Sequence, residues 1–100
     1  MANKKVNGNS FSESEIQAVW EKGSTIPGED SRVYRKDRCG ARMKRIEYGN
    51  TSSRLGWEID HIRPVSAGGT DDLYNLQPLQ WENNRYKGDN YPNWTCKINS

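Results

Sequence analysis

Trp57-Glu58-Ile59-Asp60-His61-Ile62-Arg63-Pro64 is the stretch on which the fold turns. Trp57, Ile59 and His61 alternate with Glu58, Asp60 and Ile62, the period of an extended strand, so Asp60 and His61 point to opposite faces. Pro64 cannot continue a hydrogen-bonded strand. Where a strand ends and bends, both faces can still serve one site. Downstream, Ser66 to Asp72 with its Gly68-Gly69 pair reads as a loop, and Asn75 to Leu79 reads as a second short strand. Gln80 to Lys87 then forms one to two helical turns before Gly88. The order strand, loop, strand, helix predicts a small α+β fold. That helix is weakly encoded: Asn83 and Asn84 are poor helix formers, and Trp81 and Tyr86 are its only large apolar residues. Local rules broken in one place point to function.

Working outward, Ser12 and Glu15 form a capping-box pattern. Ile16, Val19 and Trp20 follow at helical spacing before Gly23, which predicts an amphipathic helix over residues 13–22 whose apolar stripe is core. Residues 1–11 are polar and expected to fray, leaving a single domain over 12–100 with its motif core at 57–89. Val33 to Asp37 and Ala41 to Ile46 read as a hairpin around Arg38-Cys39-Gly40, with loops at 24–31 and 49–56.

Only 32% of the 100 residues are apolar, so the core must be thin and lean on four Trp and five Tyr. No apolar run is long enough to span a membrane and the opening MANKKVNGNS is polar. A soluble, cytoplasmic protein without a membrane partner is the expectation. Cys39 and Cys96 stand far apart, fitting neither a disulfide framework nor a paired zinc motif, and two reduced thiols are expected. The net charge of +2 hides an asymmetry. Glu13, Glu15, Glu21, Glu29 and Asp30 precede a basic stretch from Arg32 to Arg45 in which Asp37 is the one acid. Such a stretch concentrates positive potential and suits a polyanion, with Arg35, Arg42 and Arg45 as candidate contacts; a solvated basic face is the alternative.

His61 is the only histidine. Alone it would be read as structural, but a carboxylate precedes it, Gly68-Gly69 and Asn75 follow, and Asn84 stands with Lys87 three residues beyond. This spaced pattern, Trp57 to Pro64, then Gly68-Gly69-Thr-Asp-Asp-Leu-Tyr-Asn75-Leu-Gln-Pro78-Leu79, then Asn84-Arg-Tyr-Lys87-Gly-Asp89, resembles the HNH endonuclease family. The resemblance implies a ββα-metal fold and a metal-dependent endonuclease. It casts Asp60 and Asn84 as metal ligands, His61 as general base, and Asn75 as the residue that ties the loop and holds His61. Lys87 becomes a candidate phosphate contact, with a solvated lysine the alternative.

The chemistry agrees with that casting. Hydrolysis of a phosphodiester needs water deprotonated near neutrality, which suits an imidazole, and needs charge on phosphate neutralised, which suits a hard divalent ion. One carboxylate and one amide oxygen fit Mg²⁺, or Mn²⁺, which keeps much of its water. The resemblance further implies nucleic acid, DNA above all, as partner. Many family members carry two Cys-x-x-Cys pairs around a structural zinc. Here Gln80 and Asn83 occupy the second pair's positions, and Arg42 stands where Cys39 needs its partner, so no structural zinc is expected. A catalytically inactive nucleic-acid-binding module of the same fold is the alternative; it would not need Asp60, His61 and Asn84 together.

Overall fold

A computed structural model describes residues 3–100. Helix α1 spans Glu13–Trp20 and opens with the capping box: the Ser12 N–H donates to Glu15 Oε1 at 2.8 Å and the Glu15 N–H donates to Ser12 Oγ at 3.2 Å. It is two residues shorter than the spacing predicts, and Gly23 closes the turn by donating to the Trp20 carbonyl at 3.0 Å. Strands β1 (Tyr34–Lys36) and β2 (Arg42–Lys44) form the antiparallel hairpin. Strands β3 (Trp57–His61) and β4 (Leu76–Gln80) form a second antiparallel pair, and helix α2 (Trp81–Lys87) follows at once. Pro78 is tolerated inside β4 because a two-stranded ribbon leaves each strand one unpaired edge. Gln80 starts α2 by accepting the N–H groups of Glu82 and Asn83 on its own side chain, at 2.8 and 3.2 Å.

The two faces of β3 do different work. Trp57 and Ile59 pack with Phe11, Ile16, Val19, Trp20, Met43 and Leu76 in one apolar cluster. The Trp57 ring meets Trp20 at 5.1 Å and the edge of Tyr48 at 4.9 Å. Glu58 and Asp60, on the other face, meet α2. The tryptophans also pin loops, Trp20 Nε1 donating to the Ser31 carbonyl and Trp81 Nε1 to that of Ser53. Of the aromatics expected to carry the core, Trp20 and Trp57 are buried in it with Tyr48 packed alongside, whereas Tyr74, Tyr86 and Tyr91 are exposed.

Two expectations need correcting. Cys39 and Cys96 are joined in a disulfide, their Cα atoms 5.9 Å apart, and are not free thiols. The reason lies in Asn83, whose side chain accepts the N–H groups of Lys97 and Ile98 at 2.8 and 2.7 Å and donates to the Ile98 carbonyl at 2.8 Å. This lays the C-terminal segment against the hairpin turn, a proximity that a separation of 57 residues conceals.

The N-terminal residues are not a frayed tail from Asn3 onward; Met1 and Ala2 lie outside the described residues. Asn3 Oδ1 accepts the free-edge N–H of Ile59 at 2.8 Å, the Val6 N–H donates to Asp71 at 3.0 Å, and Phe11 is buried. Three of the seven bases in the stretch from Arg32 to Arg45, namely Arg32, Arg42 and Arg45, are paired with acids of the chain. Arg42 forms a two-point pair with Glu29 and Arg45 donates to Glu13 at 2.7 Å. Arg35 donates to the carbonyls of Glu21 and Gly23 just beyond α1 and to that of Ser31 in the loop before β1. The acidic and basic segments fold onto each other, which a linear charge count does not register. No described helix is long and apolar enough to cross a membrane.

Candidate active site

Between β3 and β4 the chain makes a tight excursion that depends on Gly68 and Gly69. Gly68 has φ +87°, and a Cβ on Gly69 would lie 1.7 Å from the Arg63 carbonyl oxygen. Asn75 closes this loop. Its Oδ1 accepts the Arg63 N–H at 2.9 Å, while Nδ2 donates to the carbonyls of Arg63 at 3.1 Å and Thr70 at 2.8 Å. Its own carbonyl accepts the Ile62 N–H at 2.7 Å. One buried amide thus clamps both ends of the loop directly beyond His61.

On the α2 side, Glu58 is 3% exposed and accepts Asn84 Nδ2 at 3.0 Å and the Arg85 guanidinium at 3.2 and 2.8 Å. Holding Asn84 by its nitrogen leaves the amide oxygen as the atom available for a ligand. Asp60 accepts Gln77 Nε2 at 2.9 Å across the ribbon and Lys87 Nζ at 3.2 Å. Lys87 also donates to the His61 carbonyl at 3.1 Å. Burial pushes the Asp60 carboxyl above its usual range, with the Gln77 bond and the Lys87 charge opposing the shift. An anion so placed gains from a nearby cation.

His61 is 5% exposed, its ring 6.2 Å from that of Phe11 and its Nε2 2.8 Å from Asp71 Oδ1. At the end of β3 the two faces meet. A cleft of about 310 Å³ is lined by Asp60, His61 and Asn84 together with Ile59, Val65, Arg85 and Asp89. Strand alternation sends Asp60 and His61 apart, and the chain bends at Ile62 and Arg63 just beyond them, where one opening is lined by both.

The model of the HNH endonuclease family matches residues 37–90. The chain belongs to the HNH endonuclease family. Its small α+β architecture, with an antiparallel ribbon followed by a helix, is consistent with the ββα HNH fold. HNH nucleases act on nucleic acid and generally use a divalent metal. No curated protein and no solved structure matches the chain.

The HNH match encloses Asp60, His61, Asn75 and Asn84, which the structure brings to one cleft and its supporting loop. Lys87 is placed differently from either expectation. At 1% exposure it is neither solvated nor open to phosphate, because its ammonium is the internal counter-charge of Asp60. Arg35, Arg42 and Arg45 are not among the residues that line the HNH cleft. Asp71, Glu58 and Gln77 went unnoticed in the sequence. Strand alternation could have found Glu58, two residues from Asp60 on the same face; Asp71 lies in a Thr-Asp-Asp run in which nothing marks one acid over the next.

Among the described residues no three His, Cys, Asp or Glu side chains converge as a metal cage. The side-chain oxygen donors among the lining residues are the carboxylates of Asp60 and Asp89 and the amide oxygen of Asn84. Hard oxygen donors in that small number fit an ion that retains most of its water, and exclude neither Mg²⁺ nor Mn²⁺.

Proposed function

We propose that this HNH protein is a DNA endonuclease in which His61 is the general base and Asp60 and Asn84 hold one divalent ion, Mg²⁺ or Mn²⁺. The observation that supports the reading is the cleft at the end of β3, which Asp60, His61 and Asn84 all line. A divalent ion bound there would supply charge neutralisation for the phosphate and the leaving oxygen. His61, engaged at Nε2 by Asp71, offers Nδ1 to a water and takes its proton as that water attacks phosphorus. Asn75 acts at one remove, fixing the loop that follows His61. Glu58 fixes the Asn84 amide, and Gln77 with Lys87 fixes the Asp60 carboxylate. The exposed side of the Arg85 guanidinium borders the same opening, a suitable position for a phosphate oxygen.

Nicking of supercoiled plasmid with Mg²⁺ and with EDTA tests the reading. His61→Ala should cut about a hundredfold to ten-thousandfold more slowly while binding metal and DNA normally. Asp60→Ala should lose calorimetric metal binding, and Asn84→Ala should weaken it. Wild-type nicking unaffected by EDTA, or His61→Ala cutting at the wild-type rate, refutes the assignment. A folded wild type that binds DNA and never nicks it would be a binding module instead.

A further inference from the structure

Asp71 receives two contacts from distant parts of the chain. Its Oδ1 lies 2.8 Å from His61 Nε2, and its two oxygens lie 3.0 and 3.2 Å from the Val6 backbone nitrogen, which donates to them. The Val6 N–H is presented by a turn in which Gly8 donates to the Lys5 carbonyl at 2.8 Å and Lys5 donates to that of Asn9 at 2.9 Å. The segment is anchored by Asn3 on the β3 edge, and Phe11 at its far end packs near the His61 ring. Residues 3–11 therefore strap the outer side of the histidine.

An ionised carboxylate only accepts hydrogen bonds. Opposite Asp71, a neutral imidazole must carry its hydrogen on Nε2, and its lone pair is then on Nδ1. We propose that Asp71 is a positioning residue that sets the tautomer of His61, keeping Nδ1 as the basic nitrogen, and that the N-terminal strap holds Asp71 through the Val6 N–H. The inference rests on His61 being the general base. It adds to the expectation that Asn75 ties the loop and holds His61 in place; the Asn75 side chain bonds only to the backbone of the loop.

Asp71→Ala and Asp71→Asn together separate the acceptor from the charge. Oδ1 is the nearer oxygen to both the Val6 nitrogen and His61 Nε2, so an Asn oxygen in its place can accept from both, whereas Ala leaves both without an acceptor. Without that acceptor the Nδ1–H form is no longer disfavoured. Because His61 is the only histidine, ¹⁵N spectra of the neutral ring report one imidazole without substrate or metal. The wild type and Asp71→Asn should show the Nε2–H tautomer, and Asp71→Ala should raise the share of Nδ1–H. In parallel kcat of Asp71→Ala should fall about a hundredfold, with KM for DNA unchanged, and Asp71→Asn should keep more of the rate. A wild-type ring found as Nδ1–H overturns the proposal even if no variant folds. So does an Asp71→Ala protein with wild-type tautomer and wild-type kcat. Failure of the catalytic reading is recognised separately, by His61→Ala cutting as fast as wild type whatever tautomer Asp71 imposes.

Discussion

Asp37 joins the hairpin to the start of α2, and replacing it should unfold the protein more readily than any change of its size would suggest. The carboxylate is 3% exposed. Oδ1 accepts the N–H groups of Cys39 and Ala41, both at 2.9 Å, and Oδ2 accepts the Gln80 N–H and Asn83 Nδ2, both at 3.0 Å. A carboxylate and an amide thus do the joining here. Asp37→Ala orphans the buried N–H groups of Ala41 and Gln80, each at about 1–3 kcal/mol, and weakens the anchorage of Asn83, about 3–5 kcal/mol in all. Against a typical domain stability of about 5–15 kcal/mol that is a large fraction. Asp37→Asn has the same shape but can accept only on one side; its nitrogen would face the Gln80 and Asn83 donors, and it should still lose about 2–4 kcal/mol. Urea unfolding followed by Trp fluorescence measures both. An Asp37→Asn protein within about 0.5 kcal/mol of wild type would mean that the carboxylate merely fills space, and the reasoning would be wrong.

Two other outcomes are expected. Elemental analysis of the purified protein should find no stoichiometric zinc, and titration of the unfolded, unreduced chain should find no free thiol, since Cys39 and Cys96 are bonded to each other; zinc held by either cysteine would contradict both statements. Joint replacement of Arg35, Arg42 and Arg45 by Ala should lower the unfolding midpoint and leave the salt dependence of DNA binding unchanged, because these side chains serve α1, Glu29 and Glu13. A log-log salt slope reduced by about three, one per lost phosphate contact, would show that the stretch meets DNA after all.

What was legible in the sequence was what depends on local spacing. The capping box, the β3 alternation and the Gly68-Gly69 turn are properties of a few neighbouring residues, and each appears in the structure within a residue or two. The family pattern located the cleft for the same reason, its parts being spaced along one short antiparallel ribbon and the helix after it. Long-range pairings were not legible. Cys96 finds Cys39, Glu13 finds Arg45, and Val6 finds Asp71 only because the chain ends wrap β3 and the hairpin turn. Lys87 was misjudged by the same failing. A lysine at a helix end is ordinarily solvated, and only a buried carboxylate across the gap makes full burial tolerable.

The composition explains why so much of the site also serves the fold. Among the described residues ten apolar side chains are buried and nine polar or charged ones are buried beside them. None of the buried polar side-chain atoms lacks a hydrogen-bond partner. With so few apolar residues, the β4–α2 half is held largely by this network, and the cleft is its open end. Substitutions there therefore differ in what they disturb. Removing Lys87 deprives Asp60 of its counter-charge and the His61 carbonyl of a donor, so stability and site geometry would fall together. Removing Asn84 leaves Glu58 paired with Arg85. Asn84→Ala is thus the cleaner probe of metal binding, and its affinity should be compared with that of Asp60→Ala only after both variants are shown to be fully folded at the assay temperature.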